Sequence, residues 1–204
     1  MPANFLSESE RLRLSQFPSS IVKSDIICYF TLSENDLVQV KKQRKSHNRL
    51  GFAIQLCVFR YLGFSPDNLK DIPVELGDYL AQQLDEPIED LILYGERSQT
   101  RTEHLQQILN YLAFHNSTEA DLVILEDWLI ERAQEHDQPF LLLQMAAQKL
   151  QTDKIVRPGV TVLERLVGTA RSKAMVETFQ KLAPLLTQNN RQFLDNLLTN
   201  RPVG

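Results

Sequence analysis

The amino-acid sequence predicts an all-α protein built from two consecutive helical modules. Apolar residues recur at intervals of three and four residues along most of the chain, which is the period of an amphipathic helix. Capping residues, prolines and glycines mark helix starts and stops between these stretches. With only seven glycines and nine prolines in 204 residues, no Ser/Gly-rich linker or low-complexity segment interrupts the pattern. We place the boundary near residues 115–118, so that the first module covers residues 1–116 and the second covers residues 117–204.

The first module begins with two helix starts of one kind. Ser7 and Ser33 are each followed three residues later by an acidic residue. This spacing is typical of the capping box, in which the serine oxygen accepts a hydrogen bond from a free amide of the first turn. After Ser46, the segment HNRLGFAIQLCVFRYLGF has apolar residues at helical intervals and contains Gly63, where a left-handed cap is expected. We expect this helix to be mostly buried.

Two prolines mark the next helices of the first module. Pro73 and Pro87 suit the first position of a helix, because that position needs no amide donor. The helix after Pro87 is short and is expected to end at Gly95. Residues 97–114 then predict a longer amphipathic helix with leucine and isoleucine on one face.

The second module repeats this helical pattern without repeating the sequence. Residues 118–133 predict an amphipathic helix and residues 139–150 an apolar one, followed by a break at residues 152–159. The segment VTVLERLVGTARSKA then predicts a basic helix. Helix, turn and basic helix together have a helix-turn-helix arrangement, as any two packed helices also do. Two further helices, at residues 174–186 and 189–198, complete the expected fold.

Charge is strongly segregated along a chain whose net charge is −4. Residues 37–66 contain six basic residues and no acidic one, whereas residues 67–96 contain nine acidic residues and one lysine. From residue 138 onward, nine basic residues outnumber four acidic ones. A local concentration of positive charge attracts a phosphate backbone even when the whole protein is acidic, because local potential steers association. The alternative is that the basic run is a solvated helix face.

The sequence lacks the usual catalytic and membrane signatures. It contains no HExxH, GxSxG or glycine-rich phosphate loop and no Cys/His spacing typical of a metal site, so we expect no catalytic residue, cofactor, metal or small-molecule substrate. No apolar run reaches the roughly 20 residues that cross a bilayer, and no signal peptide is visible, which predicts a cytoplasmic protein without a membrane partner. Cys28 and Cys57 are expected to be buried and reduced. His47 and His104 stand beside basic residues and are expected to be structural or phosphate-facing.

Three segments of the chain carry distinctive strings of residues. They are Tyr29, Thr31, Leu32, Asp36, His47, Asn48, Arg49, Leu50, Gly51, Phe52, Ala53, Gln55, Leu56, Cys57, Arg60 and Tyr61 in the first segment, Arg97, Thr100, Arg101, Glu103 and His104 in the second, and Arg157, Pro158 and residues 161–166 in the third. The first segment resembles the N-terminal domain of the Tn-three family of bacterial replicative transposases. The second is similar to that family's RxxTRxEH pattern, and the third to its P…TLERL pattern. The segments occur in the family's order, and the resemblance extends over about residues 6–198.

The resemblance implies a function for the chain. In that family, this N-terminal region recognises the transposon's terminal inverted repeats, and a separate C-terminal domain carries the Asp-Asp-Glu metal site that cuts and joins DNA strands. The catalytic domain would begin well beyond residue 204, so we expect an expressed fragment or a naturally truncated copy that is not itself an enzyme. The expected partners are double-stranded DNA at the transposon ends and a second transposase subunit, with nucleoid association when DNA is bound. The alternatives are a helical module for dimerisation or host-factor docking, and an autonomous repressor that occupies the repeats.

The basic residues predict two kinds of DNA contact. Long flexible cations suit phosphate contacts, which need no fixed geometry. Arginines near the start of a helix suit base reading, because arginine can hold guanine O6 and N7 together. For Arg49, Arg60 and Arg101, the alternative is an ion pair with the acidic residues 67–96. The candidate DNA-binding residues are Lys41, Lys42, Arg44, Lys45, His47, Asn48, Arg49, Arg97, Thr100, Arg101, His104, Arg157, Arg165, Arg171 and Lys173.

Overall fold

The computed structural model describes residues 5–18, 20–66, 69, 72–95 and 98–199, and over these residues it confirms the all-α prediction. The α-helices are α1 (Glu8–Ser15), α2 (Lys23–Phe30), α3 (Glu34–Lys41), α4 (Ser46–Leu62), α5 (Val74–Leu84), α6 (Ser98–Leu112), α7 (Glu119–Glu135), α8 (Pro139–Thr152), α9 (Val160–Leu182) and α10 (Gln188–Thr199). Two 3₁₀ helices span Ile88–Leu93 and Ala183–Leu185. The strands β1 (His115–Asn116) and β2 (Ile155–Val156) pair in parallel.

The predicted helix boundaries hold where the chain carries its own capping signal. Ser7 and Ser33 each accept a hydrogen bond from the amide three residues on, and each serine amide donates back to the acidic side chain there. Thr118 forms the same capping box at the start of α7. Gly63 follows α4 in the left-handed conformation, with a φ of 72°. These caps satisfy helix-end groups by local contacts, so the sequence alone reveals where they stand.

The first of two hydrophobic clusters is built around α4. All residues from Leu50 to Phe59 are buried, because α2, α3, α5, α6 and the 3₁₀ helix Ile88–Leu93 pack around them. The closest approach is at Gly51, where a Cβ atom would lie 2.1 Å from Cγ of Tyr94. The Tyr94 ring therefore lies directly against the α4 backbone, in space that any other residue at position 51 would fill.

A buried carboxylate ties α3 to this first cluster. Asp36 is 1% exposed and accepts hydrogen bonds from the Arg60 guanidinium at 2.6 Å, the Tyr111 hydroxyl at 2.8 Å and the Ser33 amide at 2.9 Å. Burial alone would raise the pKa of Asp36, but the three hydrogen bonds together hold that pKa below its ordinary value. The ion pair expected for Arg60 is therefore made with Asp36, which lies outside the acidic residues 67–96.

The second hydrophobic cluster lies between α7, α8 and α9, and α1 also packs on it. Leu6 is buried in this cluster, and its amide donates to a carboxylate oxygen of Glu164 at 3.1 Å. Arg11 pairs with the other oxygen of that carboxylate at 2.6 Å. The predicted division at residue 116 would assign α1 to the first module, although α1 contacts the second cluster. That division stays a prediction.

The structure differs from the sequence-based expectations in three respects. α9 continues without a break to Leu182, so the separate helix predicted at residues 174–186 is wrong, because nothing between Gly168 and Pro184 breaks a helix. The β1–β2 pair, with His115 opposite Ile155, depends on a contact between distant residues that local patterns do not encode. The expectation of a buried thiol is wrong for Cys28, which is exposed. Cys57 is buried, and burial raises the pKa of its thiol to about 12.

The described chain ends in helices with little covering. Large apolar side chains of α9 and α10 are exposed, among them Met175 and Phe179 at 71% and 70% and Phe193 at 64%. Leu185, in the short helix between them, is 73% exposed. Contact of these apolar side chains with water is energetically unfavourable. None of the helices that the structure describes is long and apolar enough to cross a membrane.

Candidate nucleic-acid interface

The cations between α3 and α4 form an exposed surface that we call the basic turn: Lys41, Lys42, Arg44 and Lys45. α3 ends at the first of them and α4 begins directly after the last. All four are exposed, and Lys42 donates to Oε1 of Gln39 at 2.8 Å. Among the described residues, no carboxylate oxygen lies within 4.0 Å of any of the four charges. Their positive charge is thus available to an outside anion.

The N-terminus of α4 adds to the positive potential of the basic turn. Lys45 is the N-cap residue, with a φ of 69°, and its side chain makes no capping hydrogen bond. The first turn of α4 contains no acidic residue. The free amides of that turn and the helix dipole therefore act together with the cations, an arrangement that binds phosphate groups. His47 and Asn48 lie half-buried in the same turn.

Arg49, also in the first turn of α4, is engaged within the protein. Its Nε donates to Oε1 of Glu86 at 2.6 Å, and its terminal nitrogen lies 2.5 Å from the same oxygen. The hydrogen bond from Arg49 holds the pKa of the Glu86 carboxyl below its ordinary value. Arg49 therefore makes the ion pair with the acidic residues 67–96 that the sequence left open.

The burial of α4 limits how a duplex can approach it. A recognition helix needs a solvent-facing side over several turns in order to lie in the major groove. Residues 50–59 of α4 are all buried, and residues 46–49 and 60–62 at its two ends are half-buried, so the helix has no continuous accessible side. This geometry suits contact with the sugar–phosphate backbone, which positions a protein on DNA without reading the bases.

Part of the cluster predicted on α6 faces the interior. His104 is 4% exposed, its Nδ1 lies 2.9 Å from the Tyr94 hydroxyl oxygen, and its ring stacks on the Tyr94 ring. Burial lowers the pKa of His104 below its ordinary value, so the ring is neutral at neutral pH. A buried, neutral ring offers no contact to a phosphate. We therefore leave His104 out of the interface proposed below.

The other members of the α6 cluster lie at the start of that helix. Thr100 and Arg101 are half-buried, whereas Arg97 lies outside the described residues. Arg101 Nη2 donates to the Pro66 carbonyl at 3.4 Å, and a Cβ at Gly95 would come within 2.9 Å of Arg101 Cδ. Arg101 is thus packed between two loops of the first cluster. Its base contact stays a prediction.

On α9, the structure separates engaged cations from accessible ones. Arg171 pairs with Asp137 at 2.7 Å, and Lys173 pairs with Glu126 at 2.6 Å. Arg165 is exposed and, among the described residues, has no carboxylate oxygen within 4.0 Å. Solvent screens ion pairs at the surface, so the two engaged cations could exchange partners at small cost. Arg165, and Lys181 in the last turn of α9, need no such exchange.

Arg165 belongs to a polar surface that we call the α9 stripe: Thr161, Arg165, Thr169 and Ser172. These residues follow one another at intervals of four, four and three, so they share one face of the helix. Thr161 and Ser172 are exposed and Thr169 is half-buried. The Thr169 and Ser172 hydroxyls each donate to a main-chain carbonyl four residues back, at 3.0 Å, and their oxygens can still accept hydrogen bonds. Sequence reasoning did not single out the three hydroxyl residues, although their spacing from Arg165 is visible in the sequence. Hydroxyl groups and arginine are side chains that contact both phosphates and base edges.

The basic turn and the start of α9 lie at opposite ends of α4. The Arg157 amide, three residues before α9, donates to the Gly63 carbonyl at 3.1 Å, at the C-terminal end of α4. The basic turn precedes the N-terminal end. With 17 residues in α4, the two ends lie roughly 25 Å apart at 1.5 Å per residue. One turn of B-DNA, about 34 Å, covers that span.

The described residues offer no metal site. No group of three or more His, Cys, Asp or Glu side chains among them is arranged to hold an ion. His115 and Asp121 are a pair of such side chains, 3.7 Å apart. Asp121 accepts from the Thr118 amide at 2.8 Å as part of the α7 capping box, so its carboxylate already has a structural role.

Comparison with known proteins relates the chain to transposases. A family described as "Domain of unknown function (DUF4158)" matches residues 5–170. The transposase for transposon Tn501 from Pseudomonas aeruginosa is 33% identical over 193 residues, which are 95% of this chain and 19% of that protein. The transposase for transposon Tn1546 from Enterococcus faecium is 33% identical over 85% of this chain and 18% of its own length. The transposase for transposon gamma-delta from Escherichia coli strain K12 is 30% identical over 91% and 19%, respectively. The chain spans about a fifth of the length of these relatives. It therefore belongs to the DUF4158 family, and its relatives are transposases of the Tn-three family.

Proposed function

We propose that this chain binds double-stranded DNA at the terminal inverted repeats of a transposon, as a noncatalytic part of a transposase. The observation that carries the proposal is the basic turn. Four exposed cations without an acidic partner among the described residues stand at the uncapped end of α4, in a chain with a net charge of −4. Free cations concentrated on one surface of an acidic protein favour a polyanionic ligand, and the relatives act in DNA transposition by their names.

We assign different tasks to the two accessible surfaces. The basic turn would contact phosphates, because its lysines and arginine are exposed and the helix behind them is buried. The α9 stripe would supply sequence preference, because Arg165 and its neighbouring hydroxyl groups occupy a regular helical face near the start of α9. Arg101 is a further candidate for base contact, at the start of α6.

Strand cleavage would belong to other parts of a transposase. The relatives are about five times as long as the region they share with this chain. Within residues 5–199, several acidic side chains serve as helix caps or ion-pair partners, as Asp36, Glu86 and Asp121 do. We expect no nicking or strand transfer of repeat-end DNA by this chain with Mg²⁺ or Mn²⁺. Metal-dependent nicking that disappears when a carboxylate is replaced would contradict this part of the proposal.

A fluorescence-anisotropy titration tests the binding proposal. The probes are a duplex with the element's own terminal repeat and a random duplex of equal length and base composition. We expect tighter binding to the repeat, and a selective loss of that preference in Arg165→Ala, because a lost bidentate base contact costs about 1–3 kcal/mol. Lys181→Ala, which removes an exposed cation in the last turn of α9, is the matched control. Equal affinity of the wild type for both duplexes would refute repeat recognition.

A second candidate function, a protein-interaction module, is favoured by the exposed apolar residues at the C-terminal end of the described chain. A groove of about 850 Å³ is lined by Met175, Phe179, Leu182 and Leu194, among others. Apolar surfaces of this kind commonly mark protein contacts. Sedimentation velocity at rising protein concentration tests it: self-association that Phe179→Ser abolishes would support the module, and a monomer at all concentrations would remove self-pairing from consideration.

A further inference from the structure

The two hydrophobic clusters meet along β2. Ile155 is buried in the second cluster, whereas its neighbour Val156 packs against the first. Neighbouring strand residues point to opposite faces, so two consecutive residues can serve two cores. The His115 amide donates to the Lys154 carbonyl at 3.0 Å, and the Gln151 side chain donates to the Arg60 carbonyl at 2.8 Å. This seam therefore joins α8 to the C-terminal end of α4.

Arg157, the next residue, crosses the same seam with its side chain. Its guanidinium carbon lies 3.7 Å from the centroid of the Phe64 ring, just after α4. Its Nη2 donates to the carbonyl of Leu14, which packs on the second cluster from α1. One side chain thus contacts a loop of the first cluster and a helix end of the second. Cation–π contacts of this kind need a guanidinium within about 6 Å of the ring, and the planar group of arginine also stacks.

These contacts fit an internal role better than contact with a phosphate. Arg157 is half-buried, its Nε is buried and has no hydrogen-bond partner among the described residues, and burial lowers its pKa to about 10. It remains charged at neutral pH. An arginine that binds DNA has to be accessible from outside the protein, as the exposed Arg165 is. The guanidinium of Arg157 instead lies between a ring and a main-chain carbonyl.

We propose that Arg157 is a positioning residue that fixes the orientation of the second cluster, and with it α9, relative to the first. The positioning role itself does not depend on the proposed DNA binding, and only its effect on DNA affinity rests on that proposed function. With the orientation fixed, the basic turn and the α9 stripe can engage one duplex together, and the second contact is made at high effective concentration. With the orientation loose, each surface would bind almost independently.

A matched pair of variants isolates this role. Arg157→Met keeps an apolar stem and removes the charge and the hydrogen bond. Arg132→Met is the control, because Arg132 also lies over an aromatic ring, at 5.8 Å from Trp128, and also has a buried Nε without a partner among the described residues. The ring and the two ion-pair partners of Arg132 all lie within α7, so its loss should not alter the seam.

Single-molecule Förster resonance energy transfer measures the relative orientation of the two clusters without DNA. Dyes are placed at Asn110→Cys on α6 and Gln144→Cys on α8, both exposed, in a Cys28→Ser background. We expect one narrow distance distribution for the wild type and Arg132→Met, and a broadened one for Arg157→Met. If Arg157→Met does not fold, Phe64→Leu removes the ring alone and carries the same test. An unchanged distribution in the variant that folds would overturn the proposal.

DNA binding then separates this proposal from the proposed function. We expect Arg157→Met to weaken binding to the full terminal repeat by about tenfold or more, with little change on a duplex too short to reach both surfaces. A loss of affinity equal on both duplexes, with an unchanged dye distance, would mean that Arg157 contacts DNA directly and would overturn the positioning role. A broadened distance in a protein whose wild type shows no repeat preference would support the positioning role and refute the proposed function.

Discussion

Charge reversal in the basic turn tests the DNA-binding proposal with a magnitude that the structure sets. The four cations of the basic turn are exposed and have no carboxylate oxygen within 4.0 Å among the described residues. If each contacts one phosphate, the logarithm of affinity should fall with the logarithm of salt at a slope of about −3.6, at about −0.9 per contact. Changing Lys41, Lys42 and Lys45 together to Glu removes three contacts. The slope should then become about −0.9, and affinity at 0.1 M salt should fall by roughly 500-fold or more.

The assay is anisotropy at five salt concentrations on the terminal repeat and on random duplex. The loss should be equal on both, because phosphate contacts carry no sequence information. The control reverses three exposed cations outside the proposed surfaces, Lys23, Lys181 and Arg191, and so changes the net charge by the same amount. A similar loss in the control would attribute the effect to net charge. An unchanged slope and affinity in the basic-turn variant would mean that the basic turn is a solvated surface that does not contact DNA.

Three predictions concern the folded framework. Gly51→Ala should destabilise by about 2 kcal/mol in urea unfolding, because the new Cβ would lie 2.1 Å from the buried Tyr94 ring, whereas Gly168→Ala, with its nearest contact at 3.7 Å, should be neutral or stabilising by up to about 1 kcal/mol. The pKa of Asp36 is lowered in the folded state, so this carboxylate stabilises the fold fully at pH values above its unfolded pKa of about 3.9. That stabilisation is lost as the pH falls through the folded pKa. Asp36→Asn should therefore be less stable than the wild type at neutral pH and should lose less stability in acid. His104 also has a lowered pKa, so the unfolded state takes up the proton first, and stability measured by urea should fall as pH drops below about 6.5 in the wild type and less so in His104→Gln. Parallel pH profiles for the wild type and either variant would contradict the assigned environment.

The fold could be predicted from sequence to the extent that local contacts determine it. The capping boxes at Ser7 and Ser33 and the left-handed Gly63 involve residues within one helical turn, and each stands where its pattern indicated. The buried α4 followed from its apolar composition. What local patterns could not supply is the pairing of β1 with β2 and the packing of α1 on α9, since both join residues far apart in the chain.

The candidate site was harder to predict, because a cation's availability depends on partners that sequence does not place. Arg49 pairs with Glu86, 37 residues away, and Arg157 donates to the carbonyl of Leu14, 143 residues away. In the sequence alone, neither arginine can be told from one that contacts a phosphate. His104 fell on the predicted face of α6, but Tyr94 covers that part of the face. The basic turn remained accessible for a reason that was visible in the sequence, since residues 37–66 supply no acidic partner of their own.

Internal pairing therefore explains how an acidic chain can present a basic surface. Two cations on α9, Arg171 and Lys173, form ion pairs with Asp137 and Glu126. The paired carboxylates cancel most of the positive potential of these cations. The same pairing neutralises acidic residues that would otherwise repel a duplex. The cations left unpaired concentrate in the basic turn, where the amides of α4 reinforce them and where a buried helix holds them in place. The strength of nonspecific DNA binding should thus follow the unpaired cations of the basic turn rather than the net charge of −4, and the matched charge reversals separate the two because both change the net charge equally.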